Sequence, residues 1–243
     1  EVGRVFRNEG IDSRHSPEYT LLEAYEAYGS YETMMELAEG LVAHAAQQVC
    51  GSLVIACGEE ELDLTPPWPR RPFWELLEEF AGLGRGDEAA IRAMAEQTGA
   101  EGAQTAHPDY LAYHVFEKLA ESRLREPTFV VDYPRSISPL AKATPHDPEL
   151  AQRFELYIGG MELAPAYSEL NDPQEQERRF LEQVGREEER ERLDADFLRA
   201  LAYGMPPAGG IGLGVDRLVM LLTDRQSIRE VILFPLLRPE EDG

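Results

Sequence analysis

Residues 154–172 read Phe154-Glu155-Leu156-Tyr157-Ile158-Gly159-Gly160-Met161-Glu162-Leu163-Ala164-Pro165-Ala166-Tyr167-Ser168-Glu169-Leu170-Asn171-Asp172. Gly-Gly between two apolar runs is the signal of a two-residue hairpin turn, because both turn residues need positive φ. Such a turn pairs Ile158 with Met161 and Tyr157 with Glu162. Glu155 and Glu162 then lie on one sheet face as diagonal neighbours, roughly 7–8 Å apart at the backbone. Two carboxylates so placed repel unless a cation sits between them. A hard divalent ion suits that position, and magnesium takes waters and substrate phosphates as its further ligands. A solvated outer face explains the same spacing, and both readings stand at this point.

Strict alternation puts Met161, Leu163, Pro165, Tyr167 and Glu169 on the face opposite Glu162. Pro165 has no N–H for the ladder, so a bulge or an edge position is expected near it. A bulge there turns Tyr167 and Glu169 to the side of Glu162.

Outward from the hairpin, residues 127–134 (PTFVVDYP) read as a buried strand closed by proline. Asp172 is expected to cap a charged helix that starts at Pro173, carries Glu175 in a capping-box pattern and runs to about residue 192. A second helix follows over 194–203 and ends at Gly204. Residues 209–217 (GGIGLGVDR) place glycine on alternate strand positions and then an arginine at a helix start. Glycines on one face admit a flat ligand or a second backbone, and a guanidinium there can stack on a base or hold phosphate. The pattern is neither GxGxxG nor GxxxxGK[ST]. A helix over 215–222 and a last buried strand over 231–234 complete this end.

Toward the start, residues 1–28 read as two extended segments around a polar loop, 10–17. Val5, Arg7 and Glu9 share one face of the first, and Tyr19, Leu21, Glu23 and Tyr25 share one face of the second. Acids and an arginine at such positions imply a polar ligand. Arg7 and Arg14, with His15, can grip phosphate oxygens. The spacing of Met34, Leu37, Ala38, Leu41, Val42, Ala45 and Val49 predicts a packing helix over 31–49, with Ser30 as cap. Short helices are expected over 72–80 and 88–96. A longer one is expected over 110–124, with its acids on a solvated face.

The chain has 243 residues and a net charge of −23, from 23 Lys+Arg and 46 Asp+Glu. It is long enough for one large domain or two small ones, and 43% hydrophobic residues exclude wholesale disorder. The acidity excludes a simple nucleic-acid module, since a phosphate backbone is met by basic stripes. No apolar run is long enough for a membrane span, so no membrane partner is expected. Cys50 and Cys57 lack zinc or disulfide spacing, which fits a reducing cytoplasm. The chain opens at Glu1 inside a strand-like segment and is expected to be a fragment or a processed product.

Taken together, Phe6-Arg7-Asn8-Glu9-Gly10 with residues 14–20 (RHSPEYT), 127–141 (PTFVVDYPRSISPLA), 154–172 and 210–222 (GIGLGVDRLVMLL) resemble the class II lysyl-tRNA synthetases, in the expected order along the whole chain. The resemblance implies an α+β fold: an antiparallel class II aminoacyl-tRNA synthetase sheet flanked by helices, with a helical insertion near 173–204. It implies that residues 1–243 are a partial catalytic domain running from motif 2 through motif 3, with motif 1 and the anticodon-binding barrel outside them. The implied activity is ATP-dependent activation of lysine to lysyl-adenylate and its transfer to tRNA(Lys), by a homodimer when full-length. In this correspondence Arg7 holds the α-phosphate and the lysine carboxylate. Glu9 and Tyr19 address adenine with Arg217 on the opposite ring face, Gly214 lies in the same nucleotide site, and His15 sits by the outer phosphates. Glu155 and Glu162 bind Mg2+, Glu162 also belonging to the ATP site. Glu169 and Tyr25 read the lysine ammonium, and Glu23 and Tyr167 line that pocket. Pro165 departs from the family, which usually has an asparagine there. The rivals are a paralogue that joins lysine to an elongation factor, disfavoured by Gly212 where that paralogue carries alanine, and a non-catalytic synthetase-derived interaction protein.

Overall fold

The computed structural model describes residues 1–8, 10–184 and 194–236. The polar loop at 10–17 returns the chain on itself, so β1 (Val2–Phe6) pairs antiparallel with β2 (Glu18–Ala27) at one sheet edge. Next come α1 (Tyr31–Cys50) and a separate two-stranded ribbon, β3 (Val54–Cys57) with β4 (Glu60–Asp63). A short edge strand, β5 (Arg70–Pro72), leads into α2 (Phe73–Ala81), α3 (Glu88–Gln97) and α4 (Pro108–Leu119). The rest of the sheet is β6 (Thr128–Pro134), β7 (Leu150–Ile158), β8 (Met161–Ser168) and β9 (Ala208–Gly214). Between β8 and β9 lie α5 (Pro173–Val184) and α6 (Ala195–Ala202), and α7 (Val215–Leu222) follows β9. The seven strands run in the order β1-β2-β9-β8-β7-β6-β5, antiparallel throughout except for β5 beside β6. This is the mixed α+β architecture expected from the sequence.

Gly159 and Gly160 take φ of +65° and +72°, as the two-residue turn requires. A Cβ on Gly160 would come within 2.9 Å of the Ser122 carbonyl, so the turn also needs glycine to press against the 3₁₀ turn Glu121–Arg123. The expected pairs Tyr157–Glu162 and Ile158–Met161 form. The register then slips, Leu156 facing Ala164, so the bulge falls two residues before Pro165. Beyond it Glu155 faces Pro165 and Arg153 faces Tyr167. Arg153, Glu155, Tyr157, Glu162, Pro165 and Tyr167 therefore share one face.

The other face carries the main core. Met34, Met35, Ala38, Val42 and Ala46 of α1 pack on Phe154, Leu156, Ala164, Ala166, Ile211 and Leu213, all buried. On the first face, α2 to α4 cover only the β5–β7 side, with Phe73, Leu76, Leu77, Val115 and Phe116 packed on Val130, Tyr133 and Tyr157. The β2–β9–β8 side of that same face is left open.

Two expectations need correction. Residues 231–234 form no strand: Val231 and Ile232 pack beside a small cluster of Met161, Met220 and Ile228, while Leu233 and Phe234 are exposed. Phe234 takes φ +58°, a left-handed backbone that interrupts an extended run. The helix expected over 110–124 ends at Leu119 and tightens into the 3₁₀ turn, and its acids are not all solvated, as the site makes clear. Asp172 Oδ1 accepts from the Gln174 and Glu175 N–H groups at 2.9 and 3.2 Å, as expected of the cap of α5, whose projected continuation past 184 lies outside the described residues.

Candidate active site

The open half of the sheet forms the floor of a cavity of about 540 Å³. β2 supplies Tyr19, Leu21, Glu23 and Tyr25, the alternate positions of one strand face. β8 and its extension supply Glu162, Pro165, Tyr167 and Glu169, brought together by the bulge. Arg7, just after β1, and Asp12, Arg14 and His15 of the loop line the cavity too, and the start of α7 adds Asp216 and Arg217. The described residues singled out in the sequence therefore lie together around one cavity, except that Glu155 is not in its lining. Glu9 lies outside the described residues.

Gly210, Gly212 and Gly214 of β9 run through the floor. The register sets Tyr25, Gly210, Tyr167 and Arg153 in one row across four strands. At Gly210 the missing side chain is a trough: a Cβ would fall 2.1 Å from Glu169 Oε1 and 2.7 Å from Tyr25 Cε1. Glu169 thus leans its carboxylate into a slot between two tyrosines. Burial pushes its pKa up to about 7, because the slot disfavours the charged carboxylate. Burial raises the Tyr25 hydroxyl too, helped by the charges of Glu169 and Glu23. Gly212 is different, since a Cβ there would meet only Leu21, at 3.8 Å.

At the other end the Arg7 guanidinium lies over the Tyr19 ring, 5.6 Å from its centroid. Asp216 Oδ2 accepts from the Thr20 N–H at 2.6 Å, which pins the start of α7 to β2 and sets where Arg217 begins. Arg217 Nη1 donates to the Glu162 carbonyl at 2.7 Å and lies 3.5 Å from its carboxylate. The loop tip is organised by Asp12, whose carboxylate accepts from the Arg14 and His15 N–H groups at 2.7 and 2.8 Å and lies 2.8 Å from His15 Nδ1.

Glu155 and Glu162 share a face, but their surroundings differ. Glu155 is 1% exposed and forms an ion pair with Arg153. The hydroxyls of Tyr133 and Tyr157 donate to its Oε2 at 2.8 and 2.6 Å, and that of Tyr113 to Oε1 at 3.2 Å. Burial alone would raise its pKa, yet Arg153 and these hydroxyls hold it below the ordinary value. Arg153 in turn lies over the rings of Tyr133, Tyr167 and Tyr113. Glu162 keeps 31% of its side chain exposed, toward the cavity, and burial plus the charge of Glu155 push its pKa up to about 7. Among the described residues no three His, Cys, Asp or Glu side chains gather as a metal cluster, and of these two glutamates it is Glu162 that lines the cavity.

The model of the family "tRNA synthetases class II (D, K and N)" matches residues 1–238. The chain belongs to that family. It is 50% identical over 252 residues to the lysine–tRNA ligase of Pelotomaculum thermopropionicum, covering 99% of this chain and 49% of the relative. It is 48% identical over 251 residues to that of Moorella thermoacetica, covering 100% and 51%, and 49% identical over 250 residues to that of Thermoanaerobacter pseudethanolicus, covering 100% and 50%. The chain thus spans about half the length of the curated relatives it matches. Among the described residues of this class II synthetase chain no helix is long and apolar enough to cross a membrane.

Of the further residues around the cavity, some have a signal in the sequence and others have none. Arg153 was legible, since a strand period of two puts it on the face of Glu155. Tyr113 and Asp216 were not, because each acts on a residue distant in sequence. Nor was Glu121, which ion-pairs with Arg14 at 3.3 Å. Glu121 sits by the site, whereas Glu117 is exposed, on the solvated face expected of it.

Proposed function

We propose that this chain is the motif 2 to motif 3 part of a larger lysine–tRNA ligase, which activates lysine with ATP and transfers it to tRNA(Lys) in the cytoplasm, acting as a homodimer. The observation that carries the lysine reading is the slot at Gly210. A flexible amine threads between Tyr25 and Tyr167 and meets Glu169, whose carboxylate is costly to ionise alone and is relieved by an ammonium. Such a site discriminates strongly, because a neutral side chain leaves the buried carboxylate without a partner. The names of the relatives support the tRNA ligase over an elongation-factor lysine ligase.

Adenine enters beside Tyr19, with Arg217 on its other face, and Arg7 reaches the α-phosphate. The lysine carboxylate oxygen attacks the α-phosphorus in line, the bond to the bridging oxygen breaks, and pyrophosphate leaves. Arg7 stabilises the charge that grows on the α-phosphate, which is the kind of fixed cation that lowers such a barrier. His15, oriented by Asp12, donates toward the outer phosphates. Glu162 fits a magnesium ion: its carboxylate opens on the cavity and is destabilised by Glu155, a strain that a divalent cation relieves. Glu155 would join as a ligand only by giving up part of its Arg153 and tyrosine partners. When bound, magnesium supplies charge neutralisation on the phosphates. Pro165 lines the cavity and has no donor for the amino acid, so recognition falls more heavily on Glu169 and Tyr25.

ATP–pyrophosphate exchange by the full-length synthetase tests this reading. Exchange that requires lysine and magnesium is the expected result; exchange with aspartate or asparagine in place of lysine overturns the specificity.

A further inference from the structure

Arg14 reaches away from its own loop. Its Nη1 donates to the Gly160 carbonyl in the β7–β8 turn at 2.9 Å and to Glu121 Oε1 at 3.3 Å. Three segments meet there: the loop at 10–17, the β7–β8 turn and the 3₁₀ turn. The contacts that bring them together are specific, with the Gly159 and Gly160 N–H groups donating to the Arg125 and Leu124 carbonyls at 2.7 and 2.9 Å. Glu121 keeps only 23% of its side chain exposed, and Arg217, Glu155 and His15 all act on it electrostatically alongside Arg14. Neither spacing nor resemblance drew attention to this glutamate.

We propose that Glu121 is a positioning residue, a counter-anion that parks Arg14 against the β7–β8 turn and yields it to the nucleotide phosphates when ATP binds. The proposal rests on the reading of the cavity as an ATP site. A guanidinium binds carboxylate and phosphate through the same paired donors, so the two compete for it. Every ATP molecule that engages Arg14 must displace Glu121 and leave it near the phosphates. Glu121 therefore weakens nucleotide binding while keeping the loop ordered in its absence.

The test is a double-mutant cycle in the full-length synthetase, read as the dissociation constant of Mg·ATP by calorimetry, with lysine binding as the control. Glu121→Gln is expected to tighten Mg·ATP by about 3- to 10-fold, and Arg14→Ala to weaken it by about tenfold or more. In the Arg14→Ala background the gain from Glu121→Gln is expected to shrink to about twofold or less, because the competition is gone. Weaker ATP binding in Glu121→Gln, or the same gain in both backgrounds, overturns the proposal and leaves the ATP site standing. No ATP binding by the unmutated protein overturns that reading, and this proposal with it. Glu121→Ala repeats the measurement if the glutamine variant folds poorly.

Discussion

One face of the sheet is treated in two ways. Over β5–β7 it is sealed by α2 to α4, and Phe73 packs on Trp74, Phe116 and Tyr133 with ring centroids 5.1–5.2 Å apart. Over β2, β9 and β8 the same pleat presents glycines, tyrosines and acids to a cavity. The two glutamates of the hairpin straddle the border. Glu155, on the sealed side, is saturated by an arginine and three tyrosines, whereas Glu162, on the open side, faces the cavity with only Arg217 near its carboxylate, at 3.5 Å, and its pKa is pushed up to about 7. The contrast teaches that one sheet face can serve two ends: the sealed half supplies apolar packing, and the open half gathers polar and charged side chains around a cavity.

The sharpest break would come from Arg7. Arg7→Ala is expected to slow pyrophosphate exchange by about 10²–10³-fold with little change in thermal stability; a loss below tenfold would remove Arg7 from the α-phosphate. On the sealed side, Phe73→Ala should cost about 3–5 kcal/mol in urea unfolding, since Phe73 is wholly buried. Lysine affinity of the folded fraction should stay at the wild-type value, and a parallel fall would blur the division between the halves.

Within the open half, the two floor glycines should separate. Gly210→Ala forces a Cβ into Glu169 and Tyr25, an overpacking cost of about 1–3 kcal/mol that appears as roughly tenfold weaker lysine binding. Gly212→Ala meets only Leu21 at ordinary contact distance and should leave lysine binding within about twofold. Equal effects in calorimetry would deny the slot.

The smallest effect is on stability against pH. The folded pKa of Glu169 is about 7 against an ordinary 4.5, so the folded state holds the proton more tightly than the unfolded chain. That contribution is intact below about pH 4.5 and is lost as pH rises through about 7. Glu169→Gln should therefore stabilise the lysine-free protein by about 1 kcal/mol at pH 8, after allowance for solvent screening, and by nothing near pH 4. Chemical denaturation at the two pH values checks the sign.

Much of this division was legible in the amino-acid order. Gly159-Gly160 dictates the turn by its positive φ, and the amphipathic run 215–222 coincides with α7. Alternation along β2 puts Tyr19, Leu21, Glu23 and Tyr25 on one face, and all four line the cavity. The bulge was anticipated near Pro165 but not its place, because the slip at Leu156 depends on how β8 fits both β7 and β9. The cage around Glu155 was hidden for a different reason: Tyr113 reaches it from a helix 42 residues earlier, a tertiary contact with no local signature. The apolar run 231–234 misled because four apolar residues in a row look alike in a strand and in an irregular tail.

A structure of the full-length synthetase with lysine and a non-hydrolysable ATP analogue tests the central claim most directly. The account predicts the lysine ammonium within hydrogen-bond distance of Glu169 in the slot at Gly210, the adenine between Tyr19 and Arg217, and the α-phosphate at Arg7. An ammonium bound elsewhere, with Glu169 still unpaired between its tyrosines, would contradict it.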